Sequence, residues 1–198
     1  MEKFLKDNKN LLYVMLALVI LVELIAAYFY IVSPARKEKK LAPVATPKIP
    51  AASLSLNPIA GTYKVGDSFE VAVNLDTDSA KTVGTDLLIT YDKTKLEVLD
   101  SDLQKEGVQI QIGSLYGTFA INSEKNGKIY FGAIVEPGKA QFSGSGVLAT
   151  VKFKTKAVGN APVTIDYDSG KTTESNVTTA DSRDILAKVA NATFTIVP

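Results

Sequence analysis

Ser68-Phe69-Glu70-Val71-Ala72-Val73-Asn74-Leu75 is the stretch that decides the fold. Phe69, Val71, Val73 and Leu75 alternate with Ser68, Glu70, Ala72 and Asn74. A period of two places one apolar row on one face of a half-buried β-strand. Similar stretches recur at residues 87–91, 108–112, 118–122, 128–134, 147–154, 163–167 and 192–197, separated by Gly, Asp, Asn, Ser and Pro. With residues 52–59 counted, this gives about nine strands, and no window in this region carries a helical period. Lys125-Asn126-Gly127 falls between two of the strands, and Asn-Gly marks a tight hairpin because both residues tolerate positive φ. Many short antiparallel strands predict an all-β jelly-roll β-sandwich over residues 52–198.

The chain before this domain has a different character. Leu11 to Val32 reads LLYVMLALVILVELIAAYFYIV, interrupted by one charge, Glu23. At 1.5 Å per residue it is about 33 Å long, enough for one hydrocarbon core, and it is assigned as a transmembrane helix. Tyr28 and Tyr30 suit the aromatic belt at the membrane surface. A cleaved signal peptide has a shorter apolar run of about 7–15 residues followed by small residues, whereas SPARKEKK follows here, so an uncleaved signal anchor is expected. Lys3, Lys6 and Lys9 precede the run and Arg36, Lys37, Lys39 and Lys40 follow it, a count that leans towards a cytoplasmic C-terminus. Long domains translocate largely regardless of such counts, and the nature of the domain places it outside the cytoplasm. Residues 1–10 form a short polar segment. Residues 33–51, SPARKEKKLAPVATPKIPA, are read as a Pro-rich stalk of about 50–60 Å if extended.

Composition removes whole classes of chemistry. The chain has no Cys, His or Trp, so thiol and imidazole nucleophiles, disulfides and Cys/His zinc sites are excluded. Residues 51–198 carry 14 Lys/Arg against 17 Asp/Glu. That mildly acidic balance argues against nucleic acid as a partner, which needs a clustered basic face. A glycosidase would need two carboxyl groups facing each other across a cleft, and no such pair is legible. The domain is therefore read as a binding module, not an enzyme.

Asp166-Tyr167-Asp168-Ser169-Gly170 opens like a calcium loop, but Lys171 and Val177 stand where an EF-hand has Gly and Glu. No cofactor is expected, with a loop calcium site from Asp76, Asp78, Asp166 and Asp168 left open. Lys152, Lys154 and Lys156 share one strand face, read as a solvated face or a guarded edge. Asn176 and Asn191 begin Asn-x-Thr triplets, which matter only in a glycosylating pathway. Direct carbohydrate binding would need exposed coplanar rings, with Tyr63, Tyr116 and Tyr130 as candidates. A structural or adhesion subunit associating through Glu23 is a further alternative.

Three blocks together resemble the cohesin domain. They are Val65-Gly66-Asp67-Ser68-Phe69-Glu70-Val71-Ala72-Val73, Gly84 through Val98 with Tyr91-Asp92 and Leu96-Glu97-Val98, and Gly146-Val147-Leu148-Ala149-Thr150-Val151-Lys152-Phe153. In the central block Asp92 is expected to cap a corner after one strand, with Leu96 and Val98 re-entering the core. The resemblance implies a nine-stranded jelly roll that binds a dockerin-like module, a calcium-loop helical partner carried by polysaccharide-degrading enzymes, on one flat sheet face. Carried over to this chain, it implies Asp86 as a polar contact and Phe131 and Ala133 as apolar contacts. It also fits display at a cell surface, although scaffolding relatives usually carry several such domains and this chain carries one.

Overall fold

The structure is a computed structural model that describes residues 9–32, 50–171 and 173–198. It divides into two units, residues 1–47 and 48–198. Among the described residues, the first unit contains the helix α1 (Lys9–Val32), 24 residues long. Its stretch Asn10–Ile31 is long and apolar enough to cross a membrane. The expected stalk over residues 33–51 lies almost wholly outside the described residues, as do residues 1–8.

The second unit is a sandwich of two sheets. Its strands are β1 (Ala52–Asn57), β2 (Ala60–Lys64), β3 (Ser68–Asp76), β4 (Thr82–Tyr91), β5 (Leu96–Val98), β6 (Gln111–Ile112) and β7 (Thr118–Lys125), followed by β8 (Lys128–Ile134), β9 (Ser145–Thr155), β10 (Gly159–Ile165), β11 (Asn176–Thr179), β12 (Leu186–Ala190) and β13 (Ala192–Val197). One sheet runs β12-β1-β3-β9-β5, with β6 also on β9. The other runs β2-β13-β10-β4-β8-β7, with β11 also on β4. Pairing is antiparallel except for β1 with β12 and β13 with β2.

The alternation at residues 68–75 is realised in β3, whose Phe69, Val71, Val73 and Leu75 are all buried. It faces β9 in register, Phe69 opposite Phe153 and Val71 opposite Val151. Across the core, the Phe69 ring lies 4.7 Å from Phe194, and Phe153 lies 5.3 Å from Tyr91, in offset and edge-on arrangements that suit aromatic quadrupoles. The Asn-Gly hairpin forms as its sequence predicts, Asn126 and Gly127 having φ of 57° and 82°. Gly127 is also required sterically, since a Cβ there would come within 2.9 Å of the Tyr91 carbonyl.

The corner after β4 forms as expected. Asp92 Oδ1 accepts from the Thr94 N–H at 2.9 Å and the Thr94 hydroxyl at 2.5 Å, and Oδ2 accepts from Lys95 Nζ at 2.9 Å. Led by the Thr94 hydroxyl and the Lys95 ammonium, these bonds hold the Asp92 carboxyl at about 2. Tyr91 beside it is pushed well above the usual phenol range, first by burial and then by its hydrogen bond to Glu124.

The element count departs from the expectation of about nine. The single strand expected over residues 52–59 breaks at the cis Asn57-Pro58 bond, and the chain passes from β1 in one sheet to β2 in the other. Only Gln111–Ile112 of the stretch 108–112 joins a ladder. Just before it, the Asn122 side chain stands in for a strand, accepting from Ile110 N at 3.0 Å and donating to Ile110 O at 2.8 Å. β9 lies between β3 and β5, so its lysines decorate a solvated face and do not guard an edge. Lys152 stands opposite Glu70, and Lys154 opposite Glu97.

Candidate functional site: an apolar platform around Asp86

β4 crosses the middle of its sheet with Leu87, Ile89 and Tyr91 buried, which turns Asp86, Leu88 and Thr90 outward. Register then fixes the neighbours of Asp86. Gly132 of β8 faces it on one side and Asn176 of β11 on the other, and Ile121 of β7 faces Gly132. The row Ile121, Gly132, Asp86, Asn176 thus spans four strands.

Asp86 Oδ2 accepts a 3.0 Å hydrogen bond from Asn176 Nδ2. A Cβ at Gly132 would sit 2.9 Å from Asp86 Oδ1 and 3.0 Å from Ile121 Cγ2, so the glycine leaves the space these two side chains occupy. Apolar surface surrounds the carboxylate: Ile121 is 46% exposed, Tyr130 37% and Ile134 44%. Leu88 pairs in register with Tyr130, and Thr173 and Glu174 border the same depression. An apolar centre with a fixed acceptor is the anatomy of a protein-docking surface, where a few desolvated groups carry most of the affinity.

The structure divides the three expected contact residues. Asp86 is exposed on the platform. Phe131 and Ala133 are each 1% exposed, with their side chains in the core. The expectation that they offer apolar contacts is corrected by the pleat: on β8 the outward set is Tyr130, Gly132 and Ile134, one residue out of phase. Sequence reasoning missed Leu88, Ile121 and Ile134, and read Tyr130 only as a sugar-stacking ring and Asn176 only as the start of an Asn-x-Thr triplet. The usable signal was register, since Leu87 and Ile89 inward forces Leu88 outward.

Other candidates resolve into local roles. Asp76 Oδ1 accepts from Asp78 N at 3.0 Å, in the sheet that contains β3. Asp166 Oδ2 accepts from the Thr90 hydroxyl at 2.9 Å and pairs with Lys128, while Asp168 pairs with Lys171. The four carboxylates do not converge, and no group of three or more such ligands gathers among the described residues. The three tyrosines do not form an array: Tyr116 is 4% exposed with its hydroxyl 2.7 Å from Thr82 Oγ1, and Tyr63 stacks on Phe69 at 4.0 Å. Asn176 of the first Asn-x-Thr triplet is buried against Asp86, and Asn191 Oδ1 accepts from Ile165 N at 2.9 Å.

The fold is a two-sheet jelly-roll module with an apolar patch around Asp86 on one outer face. The sequence matches the cohesin domain over residues 54–196, and the chain belongs to the cohesin family, whose domains are non-catalytic binding modules. No curated protein matches the sequence. Among solved structures, it is similar to the seventh ScaB type I cohesin from Pseudobacteroides cellulosolvens (21% identity, 74% of this chain and 92% of that one, TM-score 0.58). It is similar to a non-cellulosomal cohesin from the hyperthermophilic archaeon Archaeoglobus fulgidus (21% identity, 75% and 92%, TM-score 0.55). It is also similar to a chain in a type I cohesin–dockerin complex from Clostridium thermocellum (19% identity, 74% and 93%, TM-score 0.56).

Proposed function

We propose that the chain is a membrane-anchored docking module that holds a dockerin-like helical protein outside the cytoplasm. α1 is the anchor, residues 33–51 the stalk, and residues 52–198 the receptor. The partner lies on the outward face of β7, β8, β4 and β11, with Ile121, Tyr130 and Ile134 as the apolar centre and Asp86 as the acceptor for a donor of the partner. A partner of this kind would bring a polysaccharide-degrading enzyme to the surface.

The observation that carries this reading is the half-exposed apolar ring around a carboxylate positioned by Asn176. An isolated hydrophobic side chain on a surface is ordinary, whereas several contiguous ones around a fixed polar group mark an interaction site. Calorimetric titration of the detergent-solubilised chain against a panel of calcium-loaded dockerin modules tests it. Saturable binding that chelation abolishes, because the calcium sits in the partner, supports the proposal, and no binding by any module counts against it. Protease accessibility of the domain in intact cells tests the orientation. Direct sugar binding has no aromatic platform among the described residues to support it.

A further inference from the structure

Glu23 is the one charge between Leu11 and Val32, and no Lys or Arg in that stretch can neutralise it. In hydrocarbon a lone ionised side chain is costly, so such residues face a polar partner or water. Its own helix offers none, because the neighbours one turn away are Val19, Ile20, Ala26 and Ala27, all without hydrogen-bonding side chains. Met15, Val19, Val22, Glu23 and Ala26 fall within about 100° of the helix circumference. The first four of these line a shallow groove together with Leu18. Ala26, one turn beyond Glu23, is small enough to let another helix approach closely.

We infer that this face seats the same face of a second copy of the chain, so that the two Glu23 carboxyl groups meet and hydrogen-bond to each other. The inference rests on the reading of α1 as a membrane span. What selects a second copy is depth. A different span would need its own polar residue matched to the level of Glu23, whereas a parallel copy related by a two-fold axis supplies one by symmetry. A carboxyl group that carries its proton is both donor and acceptor, so two of them satisfy each other reciprocally and no ionised head is left in lipid. A paired anchor would also tether two docking domains to one point of the membrane, which gives avidity.

Light scattering after size exclusion of the full chain in detergent micelles tests the pairing. The expected results are a dimer for the wild type, at least tenfold weaker association for Glu23→Leu, and a retained dimer for Glu23→Gln, which keeps a donor and an acceptor without charge. A monomeric wild type, a Glu23→Leu variant that still dimerises, or a different membrane protein bound in place of the second copy would each overturn it. Alkaline extraction of membranes is run in parallel. Release of the chain sinks the membrane-span reading and the inference with it, whereas retention with a monomeric mass sinks the inference alone.

Discussion

Asn176 Nδ2 donates a 3.0 Å hydrogen bond to Asp86 Oδ2, and the two residues face each other across the antiparallel β11–β4 pair. Their bond aims one carboxylate oxygen along the sheet and leaves the other over Gly132, at the centre of the apolar surface. Asp86→Ala is therefore expected to weaken partner binding about tenfold or more, the range of a central interface residue. Asn176→Ala should weaken it less, because the carboxylate remains but loses its brace. Titration calorimetry with any dockerin module that binds the wild type reads both, and an unchanged affinity for Asp86→Ala would remove that residue from the site.

Gly132→Ala probes the same centre by crowding it. The new methyl would meet the tip of Asp86 at 2.9 Å and Ile121 Cγ2 at 3.0 Å. Asp86 Oδ1 is the end of a side chain on the solvent face and swings away at little cost, while the stiffer β-branched Ile121 shifts by a few tenths of an ångström on the same solvent face. The expected outcome is a melting temperature close to that of the wild type with affinity reduced several-fold. A variant that binds normally would show that the row does not touch the partner.

Much of the fold was legible because its central strands carry strong patterns. β3 alternates cleanly, β9 does so from Ala149 to Thr155, the Asn126-Gly127 turn requires positive φ at both residues, and Asp92 has a cap to make. The strands that escaped notice are β2 (AGTYK), β5 (LEV), β11 (NVTT) and β12 (LAKVA), short segments whose place is set by long-range pairing. The parallel pairs β1–β12 and β2–β13 in particular join segments distant in sequence and leave no local signature. At the site, Asp86 was readable from its block. The apolar partners were not, because β8 reads Lys-Ile-Tyr-Phe-Gly-Ala-Ile, with bulky residues on both faces, and alternation alone cannot choose the phase.

The Asp92 corner gives a pH-dependent signature. Its carboxyl falls from the ordinary 3.8 to about 2 in the folded protein, so the ionised form is bound more strongly by the fold than by the unfolded chain. The resulting stability is present in full above the unfolded value and is lost as pH falls through the folded one. Asp92→Asn should accordingly melt below the wild type at neutral pH, with the two curves converging between about pH 4 and pH 2. Thermal melts across that series check it, and a gap that stays constant down to pH 2 would show that the Asp92 charge does not brace the corner.

Phe131 separates core from contact. Its ring is 1% exposed and lies 5.8 Å from that of Phe119, while the neighbouring Tyr130 faces outward. Phe131→Ala should cost about 3–5 kcal/mol in urea unfolding, the range for removing a buried ring. Phe131→Leu conserves most of the volume and is expected to fold with affinity within about twofold of the wild type. Tyr130→Ala should do the reverse, leaving stability within about 1 kcal/mol and lowering affinity about tenfold. If Phe131→Leu, shown folded by an unchanged circular dichroism spectrum, lost binding while Tyr130→Ala kept it, the phase assigned to β8 would be wrong and the docking surface would lie elsewhere.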